Sequence, residues 1–246
     1  MKEIEKFEVF KEVFDIPTMK TIYKLASDGF IDTMMGIIST GKEANIFLGK
    51  SSSGESIAIK VYRMETSNFQ HMYKYITGDR RFSAIKHNKM DIVITWAKKE
   101  FKNLELAYNA GVRVPKPIIC RRNVLIMEFI GENDNSAPIA KNCPPKEPKM
   151  WLQKVLNTIT DLYQKAGLIH GDLSEYNILN YDEEPVFIDM GQAVLIDSLL
   201  AEELLRNDIK NILNWFKKLG VKTPEADNVY IMVRSKKSDG NIKTNA

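Results

Sequence analysis

The segment from residue 170 to residue 191, HGDLSEYNILNYDEEPVFIDMG, constrains what this chain can fold into more than any other. It sets Asp172, Asn177 and Asp189 at fixed intervals, five and then twelve residues apart. Short apolar runs typical of strands lie between them. Because Asp and Asn are common turn residues, one such pair would mean little by itself. The agreement of all three positions with the strand-like runs indicates a built site.

The spacing in this segment is that of H-x-D-L-x-x-x-N followed by D-x-G, a pattern found in protein kinases. His170 and Gly191 agree with it as well. Phosphoryl transfer needs one carboxylate to orient or deprotonate the attacking hydroxyl, and an amide oxygen and a second carboxylate to hold metal ions. The pattern therefore predicts Asp172 as the proton acceptor and Asn177 and Asp189 as ligands of Mg²⁺ (or Mn²⁺), with ATP as substrate.

Composition sets only broad limits. A chain of 246 residues can bury a sizeable core, and its 44% hydrophobic and 27% charged residues are ordinary for a globular protein. The net charge of +3 is too small to indicate nucleic-acid binding, and the spacing of the two cysteines suggests neither a disulfide framework nor a zinc site. Without an apolar leader or a membrane-length apolar run, we expect a cytoplasmic protein with no membrane partner.

The pattern changes from strands to helices along the chain, which predicts an α+β fold with two lobes. Helical spacing of apolar residues predicts helices over 4–14, from Pro17 to Asp28, over 96–110, 149–166 and 198–219. The predicted division is 1–29 as N-terminal helices, 30–130 as a β-rich lobe with a polar, irregular and flexible insertion over 64–95, 131–234 as a mostly helical lobe, and 235–246 as a polar tail.

The segment GIISTGKE at 36–43 nearly spells a Walker A loop, but Glu43 stands where that loop needs Ser or Thr. Strands rather than a helix are predicted to follow it. A β-turn-β loop is the better interpretation, in which backbone N–H groups contact phosphates; a purely structural hairpin is the alternative. The candidate residues are Ser39, Thr40, Gly41, Lys42, Glu43 and Ala44.

Lys60 lies within SIAIKVY, a strand that resembles the V-A-I-K motif of kinases. A lysine among apolar strand residues is costly unless it is paired or faces solvent. We expect it to contact phosphate and to pair with a glutamate on a neighbouring helix. Glu100 and Glu105 flank the apolar stripe of that helix on opposite edges, and spacing alone does not choose between them.

The strand LIMEFIG, at 125–131, runs into a glycine and a polar loop where the two lobes should join. Backbone groups at such a junction can bond the edge of an adenine ring. The candidates are the carbonyl group of Glu128 and the N–H group of Ile130. A buried core strand is the plain alternative, and the two are compatible.

Several segments together resemble the Rio family of atypical protein kinases. They are STGKEANIF, IKVYR, WAKKEFKNLELAYNAGV, VLIMEFIG, HGDLSEYNIL and FIDMGQAV. Residues 62–95 and the stretch IGENDNSAPIAK are similar to the type-one subfamily. The resemblance covers roughly residues 20–220.

The resemblance implies a two-lobed kinase fold that carries the roles named above. It implies Glu100 rather than Glu105 as the partner of Lys60. It also implies serine/threonine phosphorylation, including of the chain itself, and ATP hydrolysis through a phosphorylated aspartate, here Asp189. The implied setting is maturation of the small ribosomal subunit, with pre-small-ribosomal-subunit particles of protein and rRNA as partners.

A helix predicted near Ser198 leaves no room after Gly191 for an activation loop or a peptide-binding subdomain. A broad protein-substrate role is therefore less favoured than ATP hydrolysis coupled to a conformational or assembly step. An ATP-binding assembly factor with slow turnover is one alternative, and a small-molecule phosphotransferase is another. The basic residues of the segment 64–95, together with Arg63, are candidates for contacts with rRNA phosphates.

Overall fold

The computed structural model describes residues 14–65, 68–82, 85 and 88–235, which form a β-rich lobe followed by a mostly helical lobe. The first lobe is built on one antiparallel sheet with the strand order β1-β2-β3-β5-β4. This architecture confirms the predicted α+β, two-lobed fold. The strands are β1 (Thr33–Thr40), β2 (Ala44–Lys50), β3 (Ser56–Tyr62), β4 (Pro117–Arg121) and β5 (Val124–Glu128).

Helix α1 (Ile16–Ser27) covers one face of this sheet. The side chain of Asp15 caps it by accepting the N–H of Thr18 at 2.7 Å, and Pro17 occupies the first turn, where a missing N–H is harmless. Gly29, at a φ of 82°, follows the end of the helix. The predicted helix from Pro17 to Asp28 is confirmed. The one predicted over 4–14 lies, apart from Phe14, outside the described residues.

Helix α3 (Lys89–Asn109) packs on the opposite face of the sheet. Asn88 caps its first turn by accepting the N–H of Asp91 at 2.9 Å. It begins seven residues earlier than predicted because Ile92 and Val93 are buried and extend its apolar stripe.

The prediction of an irregular segment over 64–95 is wrong for most of its described residues. Helix α2 (Phe69–Thr77) and a 3₁₀ turn (Arg80–Phe82) precede α3 within it. The apolar positions of α2 are spaced by three and by one residue, which places them on one helical face despite the polar residues between them. The buried ones are Met72, Tyr75 and Ile76.

The second lobe consists of three helices and short two-stranded ribbons. The helices predicted over 149–166 and 198–219 are confirmed as α4 (Pro148–Gln164) and α5 (Ala201–Lys218), and α6 (Ala226–Arg234) follows them. The ribbons pair β6 (Gly131–Glu132) with β7 (Asn135–Ser136), β8 (Leu168–Ile169) with β11 (Val194–Leu195), and β9 (Ile178–Tyr181) with β10 (Glu184–Phe187).

The chain passes quickly from the D-x-G motif into α5. A 3₁₀ turn (Met190–Gln192) and strand β11 fill most of the interval before Ala201. This short connection agrees with the predicted lack of an activation loop and peptide-binding subdomain. Among the described residues, none of the helices has the length and apolar character required to span a bilayer.

Candidate active site

A cleft of about 720 Å³ runs between the two lobes. Asp172, Asn177 and Asp189 line it from the helical lobe, and Lys60 lines it from the sheet. The β1–β2 hairpin and the segment that joins the lobes close its other sides. Further lining residues include Ser39, Gly41, Lys42, Glu43, Ala44, Met127, Glu128, Ile130 and Gln192.

Lys60 stands at the centre of an ion network inside the cleft. Its side chain is 8% exposed, and its Nζ lies 2.8 Å from both carboxylate oxygens of Glu100 and 2.9 Å from Oδ1 of Asp189. The hydroxyl of Tyr62 also donates to Glu100. Glu105 instead pairs with Lys102 on the surface of α3 at 2.7 Å. Packing of α3 on β3 thus settles the choice between the two glutamates as a matter of geometry.

The charged groups of this network shift one another's pKa values. Burial alone would lower the pKa of Lys60, but attraction to Asp189 and Glu100 outweighs it and raises the pKa above its usual range. The Lys60 ammonium holds the pKa of Asp189 below its usual value. Burial raises the pKa of Glu100, and Lys60 offsets part of this effect. Lys60 therefore stays charged across the physiological range.

Asp172 is held by two amide side chains. Asn177 Nδ2 lies 2.7 Å from the Asp172 backbone oxygen and 3.2 Å from its Oδ2. Gln192, which sequence reasoning missed, donates to the same Oδ2 at 3.1 Å. Burial raises the pKa of the Asp172 carboxyl, and the negative charge of Asp189 raises it further. A carboxylate with a raised pKa is a stronger base than an ordinary aspartate.

The loop that carries Asp172 is fixed from beneath by two buried side chains. Asp208 of α5, 2% exposed, accepts the N–H groups of Gly171 and Leu173 at 2.8 Å each. His170 contacts the carbonyl oxygen of Ile188 through Nε2 at 2.9 Å. Since a carbonyl only accepts, Nε2 carries the proton, and Nδ1 is left to accept the N–H of Asp172 at 3.4 Å.

Asp189 has an unusual backbone. Its φ of 61° and ψ of 59° lie in the left-handed region, which costs a non-glycine residue about 1–3 kcal/mol. Two positions later, a side chain on Gly191 would bring its Cβ within 3.2 Å of Trp96 and 3.3 Å of Glu100 Oε2. A side chain at this glycine would therefore force Trp96 and Glu100 of α3 to move by a few tenths of an ångström.

The donor set fits a magnesium ion that is held jointly with phosphates. The described residues contain no group of three or more His, Cys, Asp or Glu side chains arranged to hold a metal by themselves. Mg²⁺ is commonly bound through one or two carboxylates and substrate phosphates. Asn177 donates through Nδ2 to Asp172, so its amide oxygen remains the atom able to act as a ligand. Asp189 supplies a carboxylate from a side chain that is 55% exposed.

The predicted phosphate loop is only partly assembled as expected. Ser39, Lys42 and Glu43 line the cleft, whereas Thr40 pairs with Asn45 in the β1–β2 ladder and is not among the lining residues. The N–H of Gly41 donates to the carbonyl oxygen of Ala44 at 2.9 Å and is not available to a phosphate in this conformation. Contact of the run from Ser39 to Ala44 with phosphates therefore stays a prediction.

Both predicted adenine contacts lie where the lobes join. Glu128 and Ile130 line the cleft, and the Ile130 carbonyl oxygen accepts the N–H of Ala137 at 2.9 Å. The contact of the Ile130 N–H group with a base edge stays a prediction. The Glu128 carboxylate is bound by Arg113 through two bonds of 2.9 and 3.0 Å, which stiffens the junction.

The profile of the RIO domain matches residues 45–229, three quarters of the chain. The chain belongs to the RIO family.

Curated relatives support the same assignment for nearly the whole chain. It is 45% identical to the RIO-type serine/threonine-protein kinase Rio1 of Haloferax volcanii, over 95% of this chain and 80% of that protein. It is 38% identical to the Rio1 kinase of Methanocaldococcus jannaschii, over 97% of this chain and 81% of that protein. It is accordingly a serine/threonine protein kinase of the RIO type, which confirms the resemblance inferred from its motifs.

Two solved structures of a RIO-family kinase share this fold. Rio2 of Chaetomium thermophilum, solved as an ADP/Mg²⁺-phosphoaspartate complex, superposes with a TM-score of 0.65 at 22% identity, over 85% of this chain and 64% of that one. A second structure of the same kinase gives a TM-score of 0.68 at 21% identity, over 92% and 70% of the two chains. At this identity the likeness demonstrates the fold alone.

Proposed function

We propose that this RIO kinase transfers the γ-phosphoryl group of ATP, with Mg²⁺ or Mn²⁺, to serine or threonine hydroxyls, including its own. The proposal rests on one observation: Lys60, Asp172 and Asp189 line the same cleft. Lys60 Nζ lies 2.9 Å from Asp189 Oδ1. These are the parts that phosphoryl transfer requires. Membership of the family supports this proposal over the small-molecule phosphotransferase considered above.

ATP would lie along the cleft with its base at the lobe junction. The carbonyl group of Glu128 and the N–H group of Ile130 would bond the adenine edge. Lys60, held by Glu100, would contact the phosphates, and the β1–β2 hairpin around Lys42 would cover them. Asn177 and Asp189 would hold Mg²⁺, which, when bound, neutralises phosphate charge and orients the γ-phosphoryl group.

Asp172 would act on the incoming hydroxyl. As the oxygen of the substrate bonds to the γ-phosphorus and the bond to ADP breaks, its proton passes to the Asp172 carboxylate. Burial raises the pKa of Asp172, and this favours proton uptake. The two amide side chains of Asn177 and Gln192 keep the carboxylate in place during transfer.

A second activity, ATP hydrolysis, is suggested by Asp189 itself. Its side chain is 55% exposed, and Lys60 contacts only Oδ1. We propose that Oδ2 attacks the γ-phosphorus and expels ADP. Water then hydrolyses the acyl phosphate to restore Asp189 and release inorganic phosphate. The phosphoaspartate in the Rio2 complex supports this route by analogy.

The proposed setting is assembly of the small ribosomal subunit, where turnover would drive release from a pre-subunit particle. The insertion offers basic side chains for rRNA, and Arg80 is 76% exposed. Arg81 does not fit that role, because Asp79 and Asn103 hold its guanidinium and its side chain is only 21% exposed. RNA binding that weakens steeply with salt, and weakens further in Arg80→Gln, would support the contact. Salt-independent binding would oppose it.

The two activities can be separated with γ-labelled ATP. Protein incubated with Mg²⁺ and quenched in acid should carry label that EDTA prevents. Label that hydroxylamine releases identifies an acyl phosphate, which is the result expected if Asp189 is the acceptor. Hydroxylamine-stable label on Ser or Thr instead identifies kinase activity alone. Lack of both label and ATP turnover under Mg²⁺ would overturn the proposed function.

A further inference from the structure

Lys99, one residue before Glu100 on α3, is completely buried, and its amine makes no direct contact with a carboxylate in the described part of the chain. Its Nζ instead lies 2.8 Å from the backbone oxygen of Gly191 and 2.5 Å from that of Ala193. The rings of Trp96 and Tyr75 flank the amine at 5.6 and 6.0 Å. Helix α3 therefore reaches the helical lobe with a lysine aimed at main-chain carbonyls.

Asn103, one turn further along α3, binds the same short segment. Its Nδ2 donates to the backbone oxygens of Met190 at 2.8 Å and Ala193 at 3.0 Å. Its Oδ1 accepts from Arg81 at 2.7 Å, which fixes the orientation of the amide. Arg81 is in turn held by Asp79 through bonds of 2.9 and 2.6 Å.

The segment held in this way, residues 190–193, joins two groups of the active site. It follows directly on Asp189, whose left-handed backbone needs support from its surroundings. It also contains Gln192, which donates to Asp172 at 3.1 Å. A shift of this segment would therefore move both Asp189 and a hydrogen bond to Asp172.

Packing alone does not account for these two polar side chains. A buried amine costs free energy that an apolar side chain at the same site would not. Unlike apolar side chains of the same volume, Lys99 and Asn103 supply hydrogen-bond donors. These donors bind three backbone carbonyl groups, those of Met190, Gly191 and Ala193. These hydrogen bonds fix the position and orientation of residues 190–193 relative to α3.

We propose that Lys99 and Asn103 are positioning residues for phosphoryl transfer. They clamp the carbonyl groups of residues 190–193 so that Asp189 is held for metal binding and Gln192 for contact with Asp172. This inference rests on the proposed function of the cleft. Neither side chain is assigned a contact with ATP or with the hydroxyl that is phosphorylated.

Two variants test the clamp, and a third serves as control. Lys99→Met removes the donors with little change in volume. Asn103→Asp is nearly isosteric, removes the donors to Met190 and Ala193, and keeps an acceptor for Arg81. Lys98→Met makes the same chemical change as the first variant at the adjacent, exposed position of α3. Each protein is checked for folding by circular dichroism and thermal denaturation.

Initial rates of phosphoryl transfer are then measured against free Mg²⁺ at saturating ATP. Loss of groups that orient a metal ligand commonly costs about 10–100-fold in metal affinity or activity. We expect Lys99→Met and Asn103→Asp to lower kcat by about tenfold or more and to raise the Mg²⁺ needed for half-maximal rate by about fivefold or more. The KM for ATP should stay within about twofold, and Lys98→Met should match the wild type.

Folded variants with wild-type kcat and Mg²⁺ dependence would overturn the proposal. So would a higher KM for ATP with unchanged Mg²⁺ dependence, because that is general damage to the cleft. If Lys99→Met does not fold, Asn103→Asp decides the question.

Hydrogen–deuterium exchange gives a readout that does not depend on activity. Amides of residues 189–193 should exchange faster in both variants than in Lys98→Met. If the wild type itself shows no Mg²⁺-dependent transfer, the proposed function fails, and exchange still tests the clamp. Unchanged exchange in this segment would then show that the clamp does not exist.

Discussion

Asp189 Oδ1 lies 2.9 Å from Lys60 Nζ and joins the D-x-G motif of the helical lobe to the sheet of the other lobe. The same ammonium contacts both oxygens of Glu100 at 2.8 Å, so the three contacts engage all three of its N–H donors. Binding of ATP phosphates to Lys60 would require one of these contacts to loosen. The half-exposed Asp189 is the partner best able to release it.

Replacing Lys60 tests the phosphate contact. Lys60→Met should lower kcat/KM for ATP by about 100-fold or more, through lost charge stabilisation of the transferring group. It also leaves Glu100 buried without its cation, which can cost about 3–5 kcal/mol of stability. The double variant with Glu100→Gln should recover much of that stability and remain inactive. Lys50→Met, at a partly exposed position of the same sheet, is the control.

The measurement is steady-state kinetics together with urea denaturation of all four proteins. An active double variant would contradict the role of Lys60, because it would show that only stability had been lost.

Lys99 should give the protein an unusual dependence of stability on pH. Burial lowers the pKa of Lys99 from 10.5 to about 7, with Asp79 and Glu100 acting against that shift and Arg81 adding to it. Between these values the unfolded chain binds a proton that the folded chain lacks. Unfolding therefore takes up a proton, and the free energy of unfolding should rise with pH in this window, by up to about 1.4 kcal/mol per pH unit.

Urea denaturation at several pH values between 7 and 9 checks this expectation. The difference in unfolding free energy between wild type and Lys99→Met should grow with pH, whereas the difference between wild type and Lys98→Met should stay flat. A constant difference for Lys99→Met would contradict the low pKa. Either protonation state of the amine retains enough N–H groups for its two carbonyl partners.

Asp208 should be needed for the loop beneath Asp172. In Asp208→Asn the amide can accept only one of the two N–H groups of Gly171 and Leu173, which leaves the other buried and unsatisfied. The expected loss of stability is about 1–3 kcal/mol, and kcat should fall as the loop loosens. Asp227→Asn, at an exposed position, should change neither. Thermal denaturation and steady-state kinetics measure the two effects. An Asp208→Asn protein with the stability and kcat of the wild type would show that the loop does not depend on Asp208.

Local patterns in the sequence predicted much of this molecule. The motif from His170 to Gly191 combines turn residues with strand-like runs, so its spacing alone indicated Asp172, Asn177 and Asp189. Runs rich in β-branched and apolar residues likewise predicted the strand that carries Lys60. These motifs and strand patterns are set by residues that are close in the sequence, so they can be recognised without knowledge of the tertiary structure.

Groups that act across the fold were not predictable in the same way. Glu100 and Glu105 are equivalent by helical spacing, and only the packing of α3 on the sheet distinguishes them. In the sequence, Asp208 and Lys99 look like ordinary charged residues of amphipathic helices. Only the tertiary structure shows that they are buried against the backbone of loops. One weak signal existed for Asp208, since it lies between Leu205 and Ile209 on the apolar face of α5.

The central claim is that Asp172 is the base of phosphoryl transfer, and Asp172→Asn tests it most directly. The variant preserves shape and removes the basic carboxylate. General base catalysis contributes about 10²–10⁴-fold. We therefore predict a fall in kcat of that size, a KM for ATP within about twofold, and loss of the rise in rate with pH that follows ionisation of Asp172. Asp182→Asn, in an exposed turn, should behave as wild type. A folded Asp172→Asn protein that retains the wild-type kcat and pH profile would contradict the account.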